Sequence, residues 1–192
     1  MRNLLILASN SPRRKQLLKK INIDFDVIPS NLREEGNLDF NPIKFVEYWA
    51  KEKAIKVAKQ RPNNLIFSAD TVVSYKNKIF GKPKDKIDSF KMLKFLSGKT
   101  HKVITGIVFF HKGKNVFLSS YQETFVSITN LNNKQIEEYI NTNNTLDKAG
   151  GYGIQSCFSI YIHNINGCFY NVMGLPLYLF NIDYQNALRL LK

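Results

Sequence analysis

The sequence predicts an α/β protein built on a mixed, twisted sheet with flanking helices. Two patterns carry that expectation: apolar extended runs alternate with amphipathic helical runs in the first half, and long extended runs follow one another across short polar turns in the second. A third observation is that 192 residues contain no internal repeat and no low-complexity linker, so residues 1–192 read as a single domain, as one unit or two closely joined lobes. The order of the strands is not set by the pattern.

Residues 4–7 form an apolar strand, and Ser11 with Pro12 starts a helix over residues 12–20. Ser11 is a good N-cap, and Pro12 suits the first helical position because its missing N–H loses nothing there. Residues 25–28 read as a second short strand. Asn41-Pro42 starts another helix, in which Ile43, Val46, Trp49, Ala50, Ala54, Val57 and Ala58 recur at three- and four-residue steps as far as about Lys59, before Pro62. Residues 65–69 are a buried-strand run that meets Asp70 and continues through 71–75 into a hairpin at Lys76-Asn77-Lys78. A helix over 88–96 ends at Ser97-Gly98. Strands over 103–110 and 116–128, joined by Lys112-Gly113-Lys114-Asn115, form an antiparallel pair. Asn132 or Asn133 caps a helix to about Asn141; residues 159–163 and 169–172 read as short strands around a turn at 164–167, and Gly174-Leu175-Pro176 opens the C-terminal helices.

Charged residues at 22% and hydrophobic residues at 44% set aside disordered and fibrous classes. A net charge of +13 attracts anions, but the lysines are scattered and form no run of five or six, so most of it reads as solvated surface. Residues 1–9 carry too short an apolar core for a secretory signal, with Pro12-Arg13-Arg14 following at once, and no stretch approaches a membrane span; the expectation is a cytoplasmic protein with no membrane partner. Cys157 and Cys168 read as buried, reduced thiols. His101, His111 and His163 share no metal-ligand spacing.

The chemistry concentrates in a few places. A helix starting at Ser11-Pro12 presents free N–H groups and a positive dipole end, and Arg13 and Arg14 add planar forks suited to phosphate oxygens; the same residues also describe an ordinary capped helix. Asp70, ending an apolar run, could hold Mg²⁺ or accept a proton from water, or simply close the strand in an Asx turn. Gly81-Lys82-Pro83 offers an ammonium on a turn, equally a surface loop, and is no Walker A loop. The block from Asp147 to Gln155 combines three glycines, a charged pair and an amide able to meet a base edge, or is a glycine-rich connection. Glu34 lies in a polar loop, where carboxylates are ordinarily solvated.

Ala8-Ser9-Asn10-Ser11-Pro12-Arg13-Arg14 followed by Leu17-Leu18 resembles the opening signature of the Maf family of nucleotide pyrophosphatases. The resemblance continues in order through Ala50 to Ala54 with Lys53, Ala69-Asp70-Thr71, Gly81-Lys82-Pro83, Leu96-Ser97-Gly98-Lys99-Thr100-His101, Thr105-Gly106, the Asp147 to Gln155 block and Gly174-Leu175-Pro176. It implies two lobes around a central cleft, similar to the inosine triphosphatase-like fold, with a nucleoside triphosphate and a divalent cation, Mg²⁺ or Mn²⁺, in the cleft. It implies hydrolysis to the monophosphate and pyrophosphate, with Asp70 as proton acceptor, Ser9, Arg13, Arg14, Lys53, Thr71, Lys82 and Gln155 around the substrate, and Glu34 and Asp70 at the metal. Arg13, Thr71 and Gln155 stand at positions that separate subclasses and look like the dTTP/UTP type rather than the 7-methyl-GTP type. The chain departs from the pattern at Ser156-Cys157-Phe158 and at Arg33. A homodimer, a role in cleansing the nucleotide pool, no stable nucleic-acid partner and a possible link to division arrest are also implied. The competing class is a non-enzymatic regulator of septum formation that binds nucleic acid or a division protein.

Overall fold

Two helices start in the same way. Ser11 accepts a hydrogen bond from the Arg14 amide and Asn41 from the Lys44 amide, each followed by proline, giving α1 (Pro12–Lys20) and α2 (Pro42–Gln60). The computed structural model describes residues 5–32 and 39–192. Around these helices run β1 (Leu5–Leu7), β2 (Phe25–Val27), β3 (Ile66–Tyr75), β4 (Lys78–Phe80), α3 (Lys86–Leu96), β5 (Thr100–His111), β6 (Val116–Ile128), α4 (Asn133–Thr142), β7 (Ile162–Asn166), α5 (Phe169–Met173) and α6 (Leu177–Leu190).

The seven strands make one mixed sheet in the order β2-β1-β3-β5-β6-β7, with β4 paired to β3. β1 is parallel to β2 and β3, and every other pairing is antiparallel. The β3–β4 hairpin turns at Lys76 and Asn77, both at positive φ, the two-residue geometry that matches strand twist.

β3 organises the molecule. Its outer edge is shared: β1 pairs with Ile66 and Phe67, and β4 takes over only at Val73. Between them, residues 68–72 face an opening. Ile66, Ser68, Asp70 and Val72 point to the face covered by α2, where Ser68 donates to the Ala50 carbonyl at 2.6 Å. Gly106 lets α2 lie directly on β5, since a Cβ there would stand 2.8 Å from the Val46 carbonyl.

On the opposite face the apolar layer is divided. Phe67, Ala69, Ile107 and Phe109 pack with α1 and α6, whereas Val73, Val103, Val126 and Ile128 pack with α3 and α4. Each fully buried phenylalanine contributes roughly 2–3 kcal/mol of apolar burial. Between the clusters lies a polar belt: Thr71 meets Thr105 at 3.0 Å, Thr105 donates to the Asn171 carbonyl, and the Asn171 amide donates to Val103 O and Thr124.

The structure corrects several expectations. Residues 169–172 are helical, because Gly174, at φ 106°, caps the turn while the fully buried Asn171 bonds across the belt. Residues 157–161 form a 3₁₀ segment, and the strand runs over 162–166 instead of 159–163. α3 starts two residues early, capped by Asp85 on the Asp88 amide. Cys157 is exposed and Cys168 half-buried, both free, since Cys157 opens the 3₁₀ segment at the surface. Glu34, Arg33 and Leu4 lie outside the described residues. Among the described residues no helix is long and apolar enough to cross a membrane.

Candidate active site

The gap in the β3 edge opens into a cavity of about 710 Å³ that gathers Ser9, Arg13, Arg14, Lys53, Asp70, Thr71, Lys82 and Gln155 from five separate stretches of chain. Glu34 is the one expected site residue outside the described structure.

The end of β1 delivers Ser9, and the first turn of α1 delivers Arg13 and Arg14. Arg14 is buried: its Nε donates to the Gly174 carbonyl at 2.9 Å, Nη1 to Ser9 Oγ at 3.0 Å and Nη2 to Thr71 Oγ1 at 3.0 Å. The positive-φ Gly174 presents that carbonyl. These three neutral oxygens fix the orientation of the guanidinium beside the positive end of α1.

Asp70 sits on the floor. Its Oδ1 accepts from Lys53 Nζ of α2 at 2.6 Å, with both side chains largely buried. Its Oδ2 is buried with no hydrogen-bond partner among the described residues. An unpaired buried carboxylate oxygen is costly and marks a place where a proton, a water or a cation belongs.

The far wall is the loop between α4 and β7. Arg13 crosses to it, donating to Asp147 Oδ2 at 2.6 Å and to the Asp147 carbonyl at 2.8 Å, while Lys148 takes Asp147 Oδ1 at 2.6 Å and also the Asn144 carbonyl. Burial pushes the Asp147 carboxyl up, but the bonds from Lys148 and Arg13 outweigh it and hold it below the usual range. Behind the wall, Gly150 N donates to the Gly81 carbonyl at 2.9 Å, Thr145 meets Ser89 at 2.8 Å, and Tyr152 OH meets His101 Nε2 at 2.6 Å. Lys82 and Gln155 are exposed at the rim. The departure at Ser156-Cys157-Phe158 is absorbed locally: Ser156 Oγ donates to the Gly153 carbonyl, and Phe158 is fully buried.

Sequence reasoning named the Asp147-Lys148 pair without giving it a role, and missed Tyr152. The signal for the first was the charged pair itself; its partner Arg13, 134 residues away, is visible only in the fold.

A parallel strand end, a helix N-terminus, several cations and a buried carboxylate meeting at a split sheet edge define a mixed-sheet α/β protein with a cleft lined by cationic side chains. The sequence profile of the family described as "Maf-like protein" matches residues 4–182, and the chain belongs to that family. A "dTTP/UTP pyrophosphatase" of Clostridium botulinum (strain Kyoto / Type A2) is 44% identical over 182 residues, covering 92% of this chain and 93% of its own. Proteins of the same name from Ruminiclostridium cellulolyticum and Bacillus pumilus are 42% and 41% identical, covering 92% and 91% of this chain and 92% of their own in each case. Among solved structures, that of the Staphylococcus aureus Ham1 protein aligns with 65% of this chain and 71% of its own, at 15% identity and a TM-score of 0.47.

Proposed function

We propose that this chain hydrolyses nucleoside triphosphates, dTTP and UTP in particular, to the monophosphate and pyrophosphate. The observation that carries the reading is the Asp70 carboxylate, buried at the cavity floor with Oδ1 tied to Lys53 and Oδ2 unpartnered. The names of the relatives at 41–44% identity supply the substrates.

In this mechanism the α1 N-terminus with Arg13, Arg14 and Lys82 receives the phosphates, and Gln155 meets the base with its mixed donor and acceptor amide. Lys53 holds Asp70 Oδ1 and so aims the carboxylate. Asp70 Oδ2 takes a proton from the water that attacks the α-phosphorus; the new P–O bond forms as the bond from the α-phosphorus to the bridging oxygen breaks, and pyrophosphate leaves with that oxygen. Thr71 and Ser9 hold Arg14 in place through the reaction.

The donor set fits a hard cation. Mg²⁺ and Mn²⁺ take oxygen ligands, and Mg²⁺ commonly binds through one or two carboxylates plus substrate phosphates. Asp70 Oδ2, the oxygen that Lys53 leaves open, would hold such an ion as the alternative to taking the proton, with Glu34, which lies outside the described residues, as the further carboxylate that the resemblance implies. Such an ion supplies neutralisation of phosphate charge as the transition state develops. We further place the protein in the cytoplasm as a homodimer without a nucleic-acid partner; light scattering and a DNA-binding titration check these.

The test is pyrophosphate release with Mg²⁺ or Mn²⁺ across dTTP, UTP, CTP, GTP, 7-methyl-GTP and ITP. The wild type turns over dTTP and UTP selectively, chelation abolishes turnover, and Asp70→Asn lowers kcat by about a thousandfold or more. A blank panel with steeply salt-dependent DNA binding returns the weight to the regulator reading.

A further inference from the structure

We propose that Asp147 is a positioning residue for substrate selection: it fixes the Arg13 guanidinium across the cleft, so that the nucleotide meets Arg13 in a single orientation. This rests on the reading of the cleft as a nucleoside triphosphate site.

The geometry is that of a holder. One residue supplies two acceptors to one guanidinium, Oδ2 to Nη1 at 2.6 Å and the main-chain carbonyl to Nη2 at 2.8 Å, which fixes the plane of the fork as a single contact could not. The holder is rigid because its loop is pinned by Gly150 to Gly81, Thr145 to Ser89 and Tyr152 to His101. The carboxylate stays ionised because Lys148 occupies its other oxygen. Two cations on one anion leave the triad net positive toward the cavity, so Asp147 does not repel a polyphosphate. Two of the five guanidinium N–H groups are engaged by Asp147, leaving the remainder to donate.

The triad abuts the residue that faces the base. A Cβ on Gly153 would stand 2.9 Å from Lys148 Cε and 3.5 Å from Gln155 Oε1, so this glycine is the gap through which the lysine stem and the amide approach each other. Arg13 and Gln155 therefore belong to one continuous wall, and a tilt of Arg13 changes the space between phosphate and base.

The test is a double-mutant cycle on kcat/KM for dTTP and GTP, using Asp147→Asn, Arg13→Ala and the pair, with binding of an α,β-methylene dTTP analogue measured by titration. Asp147→Asn lowers kcat/KM for dTTP about tenfold, weakens analogue binding, narrows the dTTP-to-GTP ratio, and adds nothing in the Arg13→Ala background. Arg13→Lys, which keeps the charge and loses the fork, reproduces the narrowing. Additive losses, or a wild-type dTTP-to-GTP ratio in Asp147→Asn, overturn the proposal. So does tighter analogue binding in Asp147→Asn, which makes Asp147 a competitor for Arg13 instead of its holder. A wild-type chain that neither binds the analogue nor releases pyrophosphate overturns the parent reading, and this inference with it.

Discussion

The cationic residues of the cleft were legible one at a time from local chemistry, and as a set only through the family resemblance. Ser11-Pro12 announces a helix start, and arginines in its first turn announce an anion, because cap chemistry and dipole are local properties. That Arg14 is buried against Thr71 and Gly174 while Arg13 reaches across to Asp147 depends on residues 57 to 160 positions away, which no local pattern encodes. His101 is a similar case: three histidines without ligand spacing gave no sign that one lies buried against Tyr152, its Nδ1 without a hydrogen-bond partner among the described residues. Burial lowers the His101 pKa from 6.5 to about 4, so between those values the unfolded chain takes up a proton that the native chain refuses. Its contribution to stability is therefore full above about pH 6.5 and falls as the pH drops toward 4, by about 3 kcal/mol in all. Thermal denaturation of the wild type and His101→Gln across that range checks it; the wild type shows the steeper loss on acidification.

Elements were read correctly where a cap, a turn or a long period fixed them. α2, the β3–β4 hairpin and the β5–β6 pair all carry such marks, and all stand where the sequence placed them within a residue or three. The strand expected over residues 169–172 is a helix because, although Phe, Tyr and Val favour strands, the decisive residues are a glycine at positive φ and an asparagine bonded into a distant strand. How two elements meet is also a matter of single atoms. Gly106 lies against main chain of α2, not against a side chain that could swing aside, so Gly106→Ala must push the helix off the sheet. The expected cost is about 1–3 kcal/mol, read as a lowered midpoint in urea with an unchanged slope, together with weaker turnover as Lys53 moves with α2.

At the scale of the whole molecule, charge and composition were readable from the residues, and the cleft only as what the family resemblance implied. The net charge of +13 was evident from the start, yet only the strand order shows where it acts, because the cleft exists only where β1 leaves β3 before β4 arrives. The same strands have a thermodynamic consequence. β3, β5 and β6 each place side chains in the cluster under α3 and α4 and in or against the cluster under α1 and α6, so neither half can melt without stripping the floor from the other. Cooperativity is thus written into three unbroken strands: a calorimetric scan should trace one peak whose integrated and van't Hoff enthalpies agree, and a chain cut in the turn between β5 and β6 should yield two fragments that are each unfolded alone and regain order only when mixed.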